Sequence, residues 1–179
     1  MRCAVMLVLL VAGSAHAENE RAVSVGLGWA TFSTVGKKVG NMDPPQVTPD
    51  VGGAVAVTYE HALGTELMLR GELAGGAFYG GADKTQSNGS YAALADAGVV
   101  FRFDVLKYVP YAFAGLGGVA TTGGPIDRGV NPVLAVGGGL DILQSRSLSY
   151  GFELRLASFG GDVTVVTLGA RISHRWGYF

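Results

Sequence analysis

The last stretch of the chain, Val163 to Phe179, reads VTVVTLGARISHRWGYF, and at period two it divides into two unlike faces. Val166, Leu168, Ala170, Ile172, Trp176 and Tyr178 share one parity, whereas Val165, Thr167, Gly169, Arg171, Ser173 and Arg175 share the other. Successive side chains of a strand point to opposite sides of its sheet, so this is a strand with one greasy and one charged face. Seven earlier stretches divide in the same way: Arg21 to Phe32, Asp50 to His61, Glu66 to Tyr79, Ser90 to Asp104, Val109 to Ala120, Pro132 to Ile142 and Leu148 to Phe159. Between them, longer polar segments at Ser33 to Pro49, Gly80 to Gly89 and Thr121 to Asn131 alternate with short links at Ala62 to Thr65, Val105 to Tyr108 and Gln144 to Ser147. A short turn, Gly160 to Asp162, leads into the closing strand. The pattern predicts an all-β chain, an eight-stranded antiparallel up-and-down barrel.

Charge decides which face is inside. Taken strand by strand, the face opposite the apolar one carries Arg70, Arg102, Arg155, Arg171 and Arg175 together with Glu60, Glu72, Asp96, Asp141 and Glu153. A soluble barrel places such residues outside and apolar ones within. Here the large apolar residues of every strand occupy the opposite face, with aromatics gathered at the strand ends. Tyr59, Phe101, Phe103, Tyr111, Phe113, Tyr150, Trp176 and Tyr178 are expected at one rim, and Trp29, Tyr79 and Tyr91 at the other. Two interfacial girdles around a hydrocarbon band are what a membrane-spanning barrel requires. Its interior is just wide enough for its own side chains, so the ten charged residues are expected to cross-pair there as a lattice. A narrow polar conduit, or a gate made by rearranging the same pairs, is the functional alternative.

Composition agrees with this arrangement. Glycine accounts for 29 of 179 residues and charged residues for only 15%, which disfavours helices and disorder alike. The formal net charge of −1 provides no electrostatic footprint for nucleic acid. Arg2, the apolar run Ala4 to Ala12 and the small-x-small site Ala15-His16-Ala17 form the layout of a secretory signal peptide, so residues 1–17 are expected to be removed and 18–179 to form the barrel. Cys3, the one cysteine, leaves with that signal, and the mature chain then has no thiol chemistry and no disulfides.

A C-terminal strand closing on Trp176, Tyr178 and Phe179 resembles that of bacterial outer-membrane β-barrels, and Glu18 to Phe179 as a whole resembles the small barrels of the OmpA and OmpX type. The resemblance implies an outer-membrane location, contact with outer-membrane lipid and lipopolysaccharide, and recognition by the barrel assembly machinery. It implies a monomer in a structural or surface-interaction role, porin-like in architecture, with no cofactor. Phe179 shares its parity with Gly177 and Arg175, one residue out of step with Ile172, Trp176 and Tyr178. Either the last residue leaves the ladder or the terminal signal is atypical.

Lipid A-modifying enzymes of similar size would need a serine with a histidine base. The mature histidines are His61 and His174. His174 adjoins Ser173, but neighbours in a strand face opposite ways, so they are read as interfacial side chains, with no catalytic residues and no metal site. Gly115-Leu116-Gly117-Gly118 and Gly137-Gly138-Gly139 lack the Gly-Lys-Ser/Thr of a phosphate-binding loop and are read as relief of strand curvature or room for a bulky neighbour.

Overall fold

A computed structural model describes residues 19–35, 46–80, 89–103, 107–123, 129–159 and 163–177. They form β1 (Arg21–Val35), β2 (Gln46–Val47), β3 (Val51–Ala62), β4 (Leu67–Tyr79), β5 (Gly89–Arg102), β6 (Tyr108–Thr122), β7 (Gly129–Leu143), β8 (Leu148–Phe159) and β9 (Val163–Trp176). Every pairing is antiparallel and every long strand pairs with its successor. β9 returns to β1, in register from Arg21↔Trp176 to Ser33↔Thr164, and closes the sheet. The result is an eight-stranded barrel, with the two-residue β2 continuing the β1 hairpin beyond its wall.

The staves are 12 to 15 residues long. A tilted strand needs about 9–11 residues to cross a hydrocarbon layer, so each is long enough. The outer surface is apolar: Leu27, Leu73 and Leu116 are 71%, 66% and 70% exposed, whereas Glu60 and Asp141 are 1% and 0% exposed. In water this arrangement would forfeit the hydrophobic driving force for folding. Against lipid it is the favourable one, and closure leaves no unpaired edge.

The start of β1, the end of β9 and the turns Leu63–Glu66 and Gln144–Ser147 lie at one rim, called here the terminal rim, where Ala62 N–H donates to the Glu20 carbonyl and Arg175 N–H to that of Ser147. The strand ends that the longer connections join lie at the opposite, loop rim. Several strands run further towards it than their side-chain alternation indicates. β1 continues to Val35, and β6 and β7 remain paired as far as Thr121↔Gly129, because a backbone ladder needs no apolar side chains to extend it. At the terminal rim β9 stops at Trp176, and Gly177 takes a left-handed φ of 89°. The expectations for residues 1–17, for Tyr178 and Phe179, and for the lysines of the first loop lie outside the described residues.

One expected face is reversed. Tyr111 and Phe113, read from the sequence as lipid-facing interfacial aromatics, point into the barrel and are 4% and 7% exposed. Tyr108, 53% exposed, and the small Ala112 and Ala114 face outward instead. The neighbouring strand explains the inversion. Tyr111 pairs with Gly139 and Phe113 with Gly137, and a Cβ at these glycines would come within 2.5 Å of the Tyr111 hydroxyl and 2.6 Å of Phe113 Cζ. The glycines of β7 are therefore the seats of two inward rings.

Gly139→Ala should destabilise the barrel by about 1–3 kcal/mol through overpacking. Gly71→Ala, where an added Cβ meets nothing within 4 Å, should stay within about 0.5 kcal/mol of the parent. Denaturant unfolding in lipid vesicles, followed by tryptophan emission, reads both.

Candidate functional site in the lumen

The inward side chains change character along the barrel axis. From the terminal rim upward, β9 presents Arg175, Ser173 and Arg171, then Gly169, Thr167 and Val165. β4 presents Met68, Arg70 and Glu72, then Ala74, Gly76 and Phe78. The charged stretches of different strands are thus brought to one level, because antiparallel register aligns them across the closed wall.

At that level Arg171 is the hub. Its Nη1 donates to the Tyr111 hydroxyl at 2.9 Å and to Glu153 at 3.0 Å, and its Nη2 donates to Ser24 at 3.1 Å and to Glu60 at 3.4 Å. Its Nε lies 3.3 Å from both Ser173 Oγ and Asp141 Oδ1. Arg70 grips Glu153 with two nitrogens, at 2.9 and 2.8 Å, and reaches Glu72 at 2.5 Å. Arg102 bonds Glu60 and, at 3.0 Å, Glu20; Arg175 bonds Asp141 at 2.9 Å; Arg155 pairs with Glu72. Five arginines and the carboxylates of Glu20, Glu60, Glu72, Asp141 and Glu153 form one connected set. Five positive charges meet five negative ones, which is the condition for burying any of them without a large desolvation penalty.

The inward rings belong to this set. The Arg70 guanidinium lies 4.0 Å from the centre of the Phe113 ring and that of Arg171 lies 4.7 Å from Tyr111, whose hydroxyl also donates to Glu153 at 2.9 Å. Both are cation–π contacts in a desolvated setting, where such contacts are strongest.

All ten charged residues singled out from the sequence face the lumen, but their roles differ. Asp96 makes none of the ion pairs above; its Oδ2 has no hydrogen-bond partner among the described residues, and its register neighbour is another carboxylate, Glu72. Glu20 takes the place expected for Asp96. Its signal was its even parity with Ala22 and Ser24 on the inward face of β1, one residue ahead of where the alternation was taken to begin.

Above the charges the lumen is mainly apolar, with the hydroxyls of Ser90, Thr121 and Thr167 among its small side chains. Phe32 and Phe78 meet edge to face with ring centres 5.1 Å apart, beside Ala30 and Ala54. Val119, Val133 and Ala157 complete the layer from the opposite wall. Between the two layers lie small cavities of about 40 and 30 Å³, both bordered by Arg155 and Thr167. They have room for individual waters.

The remaining expected aromatics, Trp29, Tyr59, Tyr79, Tyr91, Phe101, Phe103, Tyr150 and Trp176, are exposed on the outer wall. His174 is also outside, stacked on Trp176 with ring centres 5.9 Å apart. Ser173 is inside, where it accepts a 2.7 Å hydrogen bond from Ser24.

No protein-family model matches the sequence, and no curated protein matches it. Solved structures do. The attachment invasion locus protein Ail of Yersinia pestis, crystallised with the heparin analogue sucrose octasulfate, is 18% identical over 89% of this chain and 99% of its own, with a TM-score of 0.60. Neisserial surface protein A is 13% identical over 87% and 97%, also at 0.60. The fold is that of the small outer-membrane barrels. The outer-membrane enzyme PagL shares it too, at 14% identity over 86% and 98% with a TM-score of 0.53, so this barrel fold accommodates more than one role.

Arg171→Gln leaves Glu60, Asp141 and Glu153 short of a cation and should cost about 3–5 kcal/mol of stability. Asp96→Asn removes a carboxylate that makes no ion pair among the described residues and stands beside Glu72, and should be neutral within about 0.5 kcal/mol or stabilising. Urea unfolding of the two variants in the same vesicles compares them directly.

Proposed function

We propose that the chain is a bacterial outer-membrane barrel with a non-enzymatic, structural or surface-interaction role, exported by residues 1–17 as a signal. The observation that carries this reading is the filling of the lumen in two stacked layers, an ion-pair lattice below and an apolar plug of Phe32, Phe78, Val119 and Val133 above. A solute would have to cross both. Short turns at the terminal rim and longer connections at the other agree with a periplasmic and an external end respectively. Outer-membrane lipid and lipopolysaccharide are then the barrel's surroundings, the barrel assembly machinery its insertion partner, and a monomer its working unit.

Enzymatic chemistry of the serine–histidine kind finds no support in the placement of the residues. His174 lies on the lipid face and Ser173 in the lumen, so the wall of the barrel separates them. The cavities on either side of Arg155 are the observation that favours the second reading, a narrow conduit; the two would have to join before anything could pass.

The mature protein should fractionate with the outer membrane and migrate differently on gels before and after boiling. In planar bilayers it should give no stepwise conductance, and Phe32→Ala/Phe78→Ala should remain closed because the ion-pair layer is intact. Discrete channels in the parent would replace the structural reading with the conduit; recovery as a soluble periplasmic species without a heat-dependent shift would end the membrane reading altogether.

A further inference from the structure

The seam where the barrel closes brings together outward residues that the lumen does not use. Arg21, the first residue of β1, is exposed and stands between two register neighbours, Trp176 of β9 and His61 of β3. His174 is stacked on the Trp176 ring from the same outer face. One strand further round, exposed Arg146 occupies the turn that leads into β8, whose Leu148 is the register neighbour of His174. Arginine, indole, imidazole and a second arginine therefore follow one another around the terminal rim, at the level of the exposed Tyr59, Tyr150 and Phe103.

An arginine on the lipid face is expensive at mid-membrane and favourable at the interface, where its stem lies along hydrocarbon and its head meets headgroups. Guanidinium groups recognise phosphate through several donors at once, and an indole anchors at the same depth. The carboxylate nearest in sequence, Glu20, is turned inward onto Arg102, 3.0 Å away. Among the described charged side chains exposed at this rim, Arg21, Lys107 and Arg146 face only Glu66 in opposition.

We propose that the seam at the terminal rim, formed by Arg21, Trp176, His174 and Arg146, is a binding site for the phosphate of a glycerophospholipid in the adjacent leaflet. Arg21 and Arg146 engage the phosphate from the two sides of Trp176, and the indole lies against the glycerol and upper acyl region. The site rests on the membrane-spanning reading proposed above. It adds a headgroup preference at a defined place on the wall, on the strand pair that closes the barrel and the adjoining turn into β8.

Trp29 and Trp176 are the two tryptophans of the chain, so Trp29→Phe leaves the site's own indole as the reporter. Folded Trp29→Phe barrel in uncharged detergent micelles, its folding checked by heat-dependent gel mobility, is titrated with a short-chain phosphatidylglycerol, with a diacylglycerol of the same chains, and with inorganic phosphate. Phosphatidylglycerol should give a saturable change in Trp176 emission that weakens as salt is raised. Arg21→Gln/Arg146→Gln should weaken it about ten-fold or more, the scale of one lost hydrogen bond to a charged group. An equal response to diacylglycerol, saturation by inorganic phosphate at the same concentration, or an unchanged affinity in the folded double variant would each overturn the proposal. Salt-insensitive phosphatidylglycerol binding by the parent would overturn it regardless of how the variant folds. Loss of the heat-dependent shift in the parent itself would instead mark failure of the membrane reading.

Discussion

Everything inside this barrel depends on Arg171 finding its acids. The guanidinium sits on the last strand, and its partners are Ser24 on β1, Glu60 on β3, Tyr111 on β6, Asp141 on β7 and Glu153 on β8. No neighbouring strand alone can supply that set; it exists only once β9 has paired with β1. An open sheet would leave the same arginine against hydrocarbon or facing an incomplete cage. The lattice therefore acts as a condition on closure as much as a source of stability, and a slip of one residue in any stave would turn its charges out to the lipid.

That condition explains the unusual distribution of glycine and aromatic residues. Two rings, Tyr111 and Phe113, enter the lumen to cover Arg171 and Arg70 with polarisable faces, and a small barrel has space for them only if the adjacent wall gives way. β7 does so at Gly139 and Gly137. Further up, where no guanidinium needs a partner, alanine and glycine line most of the wall and the Phe32–Phe78 pair fills the remaining width. Charge and hydrocarbon are thus stacked along the axis, each layer complete in itself.

The architecture was legible because period two operates on every stave and the ten charges fall, strand by strand, on one face. Strand number, closure and the inward course of ten charged residues follow from that alone. Tyr111 and Phe113 were not legible in the same way. β6 separates rings from alanines cleanly, but alanine and aromatic are both acceptable to lipid, so alternation names two faces without saying which is outer. The deciding fact is the register that sets Gly137 opposite Phe113, a cross-strand relation that no single stretch contains. Glu20 escaped for a simpler reason, since it precedes the first alternating residue and its inward direction shows only when β1 is extended back by one position. The apolar plug was divided among six strands, with one or two residues in each, and too few in any one to register as a pattern.

A lumen filled in this way shifts the question of function to the outer wall and the rims. The charged layer leaves little freedom for change: each arginine serves at least one acid, and most of those acids serve a second arginine, so a substitution adapted to a new ligand would strand a buried charge. The outer wall carries no such obligations. Arg21, Arg146 and the stacked His174–Trp176 pair can exchange partners with the lipid around them without disturbing any buried contact. A barrel whose interior is committed to closing itself has its chemical variability at its surfaces, and the closing seam, where β1 and β9 meet, is the part of the outer wall where exposed cationic and aromatic side chains are drawn together by the same pairing that shuts the barrel.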